Sequence, residues 1–153
     1  MTISNNKLVK KVHEHFINSS NVIKELKYFE KEIVLFADKI SKTRKANKVL
    51  VGGNGGSCAD ADHFTGELQC TFKDRNRKPI SAISLNNSFP AITAWCNDFS
   101  FDTYFLRQVQ AHGRKGDVLV LLSTGGGDIK SGASINMISA AKLAIKKKCL
   151  LYL

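Results

Sequence analysis

Nowhere along the 153 residues do about 18 apolar residues follow one another, so no stretch is suited to cross a bilayer as a helix. The first residues, MTISNNKLVKKVHEHF, lack the apolar segment of a secretion signal. Cys58, Cys70, Cys96 and Cys149 form no C-x-x-C pair. This speaks against a zinc or disulfide framework and for reduced, cytoplasmic thiols packed as small apolar groups. The basic clusters at 42–48, 73–78 and 146–148 are not interleaved with aromatics, and no nucleic-acid motif is present. The formal charge of +10 therefore reads as a solvated surface that attracts anionic substrates, with neither a membrane nor a nucleic acid as partner. Two phosphate motifs are missing as well. No Lys-Ser or Lys-Thr closes a Walker A loop, and Cys58 occupies the place of the last glycine of G-x-G-x-x-G.

What is present centres on residues 49–68, VLVGGNGGSCADADHFTGEL. Val49, Leu50 and Val51 read as a short buried strand, and Gly52, Gly53, Gly55 and Gly56 crowd the turn after it. Ser57 is the expected N-cap of a helix carrying Ala59, Ala61, Phe64 and Leu68. A strand that runs through glycines into a helix start makes an anion site, because free backbone N–H groups and the positive end of the helix dipole meet there. Asp60, His63 and Glu67 share one stripe of that helix. An anion cradle beside a carboxylate–imidazole pair points to chemistry on a phosphorylated substrate.

The remaining pattern places this unit in an α/β domain. Apolar residues at helical spacing predict a helix over 5–26, bent at Ser19-Ser20-Asn21, and a second over 28–43 with Phe29, Ile33, Phe36, Ala37 and Ile40 inward. Lys39, Lys42, Arg44 and Lys45 suit the C-terminal end of its dipole. These two helices form an arm, 1–46, fit to pack on another subunit. From 47 to 153 strands alternate with helices: ISAISL, a helix capped by Ser88, a helix over 101–111, DVLVLLS, a helix from Ile135 to Ile145, and CLLYL. Trp95 and Phe99 are expected in the core. Strand–helix–strand repetition argues a mostly parallel sheet, in which ligands bind beyond the carboxyl ends of the strands. Two glycine loops, 52–57 and 123–128, leave such ends and face one crevice. The last strand has no helix after it, which leaves a sheet face bare and reads as an incomplete core.

GNGGSCADADHFTGEL, AWCNDFSFDTYFLRQV and GRKGDVLVLLSTGG, in this order, resemble the sugar isomerase (SIS) family over nearly the whole chain. Within it they are similar to the enzymes that interconvert sedoheptulose 7-phosphate and D-glycero-D-manno-heptose 7-phosphate for bacterial surface sugars such as lipopolysaccharide. The resemblance implies one SIS domain with a flavodoxin-like α/β/α sandwich, a homotetramer with sites shared between subunits, and, in many members, zinc. It implies substrate contacts at Asn54, Gly55, Gly56, Ser57, Glu67, Asn97, Asp98, Ser123, Thr124, Gly125 and Asp128. It makes His63 and Glu67 metal ligands and Glu67 the catalytic base as well. Thr71 replaces a usual arginine, and the family's Ser-Thr-Ser-Gly-Asn-Ser phosphate loop becomes Ser-Thr-Gly-Gly-Gly-Asp, in which the Asp128 carboxylate costs phosphate binding unless it turns away or a cation bridges the two. The family's closing helix, with the glutamine and histidine that complete the metal site, has no counterpart. The expectations are weak or absent zinc and impaired isomerisation, with a non-catalytic sugar-phosphate-binding or protein-interaction module as the alternative.

Overall fold

The computed structural model describes residues 2–43 and 46–153; Arg44 and Lys45 lie outside the described residues. Contacts divide the chain into two compact units, Met1–Asp38 and Lys39–Leu153.

In the first unit α1 (Thr2–Glu25) runs unbroken through Ser19-Ser20-Asn21. Ser20 and Asn21 are exposed, so their side chains find water and no buried packing is lost by keeping them helical. The interruption comes later, as a 3-10 turn at Leu26–Phe29, before α2 (Glu30–Lys42) begins with Glu30 and Glu32 in its first turn. Leu8, Val12, Phe16, Ile23 and Leu26 remain 49–67% exposed. Ile33 is also exposed, whereas Ile40, near the end of α2 and within the second unit, is buried.

The second unit holds four parallel strands: β1 (Val49–Gly53), β2 (Ala82–Ser84), β3 (Val118–Leu122) and β4 (Leu150–Tyr152). Their order is β2-β1-β3-β4. Between them lie α3 (Gly56–Gln69), α4 (Phe89–Asp98), α5 (Tyr104–His112, entered by a 3-10 turn at Phe101–Thr103) and α6 (Ile135–Lys146). Alternation along the strands sends Leu50, Leu119 and Leu121 into one cluster with Leu85, Tyr104, Phe105, Val109, Met137, Ala140 and Ala144. Val49, Val51, Val118 and Val120 are equally buried but point to the opposite face, the face that α3 covers with Ala61, Thr65 and Leu68. The near-continuous apolar strands thus have helices on both faces, as the sequence implied. β4 lies at an edge, with Leu150 43% exposed.

Local chemistry explains the element ends. Ser88 caps α4 as expected, its Oγ accepting from Ala91 N at 3.4 Å. The Arg77 guanidinium donates to the carbonyls of Glu67 (2.5 Å), Leu68 (3.1 Å) and Cys70 (3.2 Å), closing the C-terminal end of α3. At the amino-terminal end of the strands Asp117 is fully buried and accepts from Lys48 N (3.0 Å), Lys48 Nζ (2.8 Å), Arg114 N (2.8 Å) and Asn47 Nδ2 (3.3 Å). This network ties the segment before β1 to the start of β3 and so sets the pairing of Val49 with Val118. Two packing expectations fail. Phe99 is 67% exposed and stacks on the half-buried Trp95, ring centroids 4.2 Å apart. Cys70 is exposed, because it falls just past the end of α3.

Candidate active site

The chain leaves β1, crosses to β2 on one side, and returns to β3 on the other side of β1. Between β1 and β3 the strand order therefore reverses, and both glycine loops leave the carboxyl ends of these two neighbouring strands. Such a switch point opens a crevice at the end of the sheet.

The first loop is tightly built. A Cβ on Gly53 would lie 2.3 Å from the Ser57 carbonyl oxygen, and Gly55 adopts φ +55°, so both positions require glycine. Gly56 differs: it has no left-handed φ, and a Cβ there would meet nothing within 4 Å. The fold does not demand glycine at 56, and the space it leaves faces outward. Helix α3 starts at Gly56 with Gly55 as its N-cap and no capping side chain, so Ser57 belongs to the first turn and is not the cap. Ser57 N and Cys58 N turn back onto Asn54 O and Gly55 O, at 3.0 Å each. Two amides brace the loop. Asn86 donates to Gly53 O (3.0 Å) and accepts from Gly53 N (3.1 Å). Asn54 exchanges hydrogen bonds with Asn136, 2.9 and 3.1 Å, and Asn136 is 2% exposed.

On α3, His63 Nε2 lies 3.4 Å from Glu67 Oε1, with the imidazole largely exposed. Glu67 Oε2 is buried and has no hydrogen-bond partner, the one such side-chain atom among the described residues. In the second loop Ser123 Oγ accepts from Gly126 N at 3.1 Å, while Thr124 and Gly125 are exposed. Asp128 turns into its own loop: its carboxylate accepts from Lys130 N (2.9 Å) and Ser131 N (3.2 Å), and its backbone bridges to Ala133. Hydrogen bonds from Ser131 and Lys130 hold the carboxyl below its ordinary range, so the charge is spent on the loop's own N–H groups. The helix start that follows this loop lies at Ser134, six residues beyond Asp128, in a left-handed conformation with no capping side chain. Asn97 and Asp98 end α4, exposed, and hydrogen-bond to each other at 2.9 Å. The structure thus joins the first glycine loop to the first turn of α6, the helix that follows the second loop, and pairs Asn97 with Asp98 at the end of α4. Burial, and then the nearby Asp62, push the Cys58 thiol up, which argues against a thiolate in the first turn of α3.

Asn86, Asn136 and Arg77 were not anticipated. Nothing in local spacing shows that the Asn86 or the Asn136 amide crosses to the first loop. For zinc, the chain offers His63 and Glu67, and no cluster of three or more His, Cys, Asp or Glu exists among the described residues. Two donors do not fit a zinc ion, which takes at least three protein ligands, so no chemical step is routed through a metal.

A parallel α/β domain with two glycine loops at the carboxyl ends of adjacent strands belongs to the class of doubly wound proteins. Residues 14–145 match the SIS domain model, and the chain belongs to the SIS domain family. It is 52% identical over 97 residues to a phosphoheptose isomerase of Streptomyces coelicolor, covering 63% of this chain and 39% of that one. It is 45% identical over 119 residues to a probable phosphoheptose isomerase of Thermoplasma acidophilum, covering 77% and 62%. Two solved structures share its fold over 94% of this chain and 72% of theirs. They are the phosphoheptose isomerase GmhA from Neisseria gonorrhoeae (TM-score 0.80, 34% identity) and a phosphoheptose isomerase from Francisella tularensis (TM-score 0.82, 30% identity). Across the curated relatives it matches, the chain spans about half their length, 39%, 62% and 52% in three of them.

Proposed function

We propose that this chain carries the proton-transfer site of an aldose–ketose isomerase for a seven-carbon sugar phosphate, interconverting sedoheptulose 7-phosphate and D-glycero-D-manno-heptose 7-phosphate. The observation behind this reading is Glu67 Oε2, buried and unpartnered on the helix that leaves the first glycine loop. A carboxylate oxygen in that position is costly unless a group from outside the chain meets it. Aldose–ketose exchange brings such a group: the hydrogen on the carbon beside the carbonyl. Glu67 takes that proton and returns it to the neighbouring carbon, the hydroxyl proton passes from one oxygen of the enediolate to the other, and polar groups at the entry to α3 steady the oxygen that becomes negative. The second loop and the start of α6 receive the phosphate, which holds the reacting carbons at Glu67. The names of the relatives support the substrate class.

The exposed apolar residues of α1 support an assembly of several copies, which we take to be a homotetramer with sites shared between subunits. No helix among the described residues is long and apolar enough to span a membrane. With a phosphorylated substrate and four free cysteines, the cytoplasm is the compartment we assign, and heptose supply for lipopolysaccharide the role. The experiment is a coupled assay with sedoheptulose 7-phosphate. Turnover by the parent chain that falls at least about 10²-fold in Glu67→Gln is the expected result. A Glu67→Gln variant as fast as the parent refutes the assignment. Binding without turnover in the parent chain selects the non-catalytic module instead.

A further inference from the structure

The Asn54–Asn136 pair joins chain segments 82 positions apart with two hydrogen bonds, and the more deeply buried partner is Asn136. Asn136 Oδ1 also accepts from Met137 N at 2.9 Å, so the amide is anchored in the first turn of α6. On the other side Asn54 O receives Ser57 N, which shapes the entry to α3. We propose that Asn136 is a positioning residue: its amide clasps Asn54 and makes the first glycine loop and the start of α6 one rigid receptor for the sugar phosphate. The proposal rests on the reading above that the first loop and the start of α6 meet the ligand.

Three features carry it. Each amide gives and takes one hydrogen bond, so the pair holds only when both side chains keep one orientation. The loop it grips is open to solvent at Gly55 and Gly56, where a Cβ would touch nothing, and its outer side is held by its own Ser57 N–Asn54 O and Cys58 N–Gly55 O hydrogen bonds. Asn86 restrains Gly53 but reaches no further along the loop. With Asn136 removed, Asn54 loses both side-chain hydrogen bonds and the loop samples other positions. Ligand binding then has to order the loop again, and affinity falls.

The test combines binding and exchange in the full chain, using Asn136→Ala, Asn54→Ala and the double variant. Sedoheptulose 7-phosphate is titrated by calorimetry, and amide hydrogen exchange is measured across 53–58 and 134–138 without ligand. Asn136→Ala is expected to weaken binding about tenfold in the parent background and less than about twofold in the Asn54→Ala background, because its action passes through Asn54. Exchange at 53–58 is expected to quicken in Asn136→Ala, and exchange at 134–138 in Asn54→Ala. Equal losses of affinity in both backgrounds, or unchanged exchange at 53–58, overturn the proposal. Should Asn136→Ala fail to fold, exchange at 134–138 in Asn54→Ala decides it. A parent chain that binds no sugar phosphate refutes the proposed function, and the exchange arm alone then decides whether the clasp exists.

Discussion

Asp117 is the residue whose loss should tell most about how this domain is held. Its carboxylate is fully buried and meets four donors, two of which, Lys48 N and Arg114 N, are main-chain groups that cannot move away. Removing one member of a buried charged network costs about 3–5 kcal/mol, because the partners left behind stay dehydrated. Asp117→Ala should therefore lose about 3–5 kcal/mol. Lys48→Met should lose only about 1–2 kcal/mol, since the ammonium is one donor of four and its side chain reaches the rim, 15% exposed. Urea unfolding followed by circular dichroism reads both; with a slope of about 1–3 kcal/mol per molar urea, the Asp117→Ala midpoint falls by at least about 1 M. Equal losses in the two variants would refute the claim that main-chain donors dominate. Acid gives a second reading. Burial pushes the Asp117 carboxyl up, but hydrogen bonds from Lys48, Arg114 and Asn47 outweigh it and leave the group below its ordinary value. The folded state thus binds this proton less readily than the unfolded chain. The stability from Asp117 is complete above the unfolded value of about 3.9 and is lost as pH falls through the lower, folded value. Asp117→Asn should flatten that part of the pH profile.

Gly56→Ala should leave the melting temperature within a few degrees, as its Cβ meets nothing, yet weaken sugar-phosphate binding about 5–100-fold by filling the approach to the loop; unchanged affinity would place the ligand elsewhere. Arg77→Ala removes the donors that close α3 behind Glu67, and should cost about 1–3 kcal/mol in thermal unfolding and speed amide exchange at 67–70. Asp128→Ala should quicken exchange at Lys130 and Ser131 without tightening phosphate binding; a gain of more than about threefold would show that the carboxylate faces the ligand after all.

The sheet was readable in the chain because its strands are short apolar runs bounded by glycine or polar turns, and period and punctuation agree. Val49–Gly53 and Val118–Leu122 carry that signal strongly. Ser88 was readable too, since a cap acts on N–H groups within three residues. What escaped acts at a distance or depends on orientation. Asp128 read as an anion that costs phosphate binding unless it turns away, since sequence gives its charge but not its direction; the carboxylate closes on N–H groups two and three residues ahead. Ser57 read as a cap because it is the hydroxyl nearest the helix, but the left-handed Gly55 starts α3 one residue before it. Ser19-Ser20-Asn21 read as a bend, yet on an exposed helix polar residues cost only their small propensity deficit. The Asn54–Asn136 pair gave no local signal, because its members meet only through the fold.

The adjacency of β1 and β3 has a bearing on the life of the chain in a cell. Asn54 is made 82 residues before Asn136, and β1 must wait for β3 before the crevice exists at all. Closing so long a loop is entropically costly and comes late in folding, so a nascent or clipped chain with only its first glycine loop has no place to hold a ligand. Occupancy therefore certifies a finished fold. A metabolite at a hundredfold excess over its dissociation constant would add about 2.7 kcal/mol to that fold. Under the proposed function, the supply of sugar phosphate would then set how long each copy survives proteolysis.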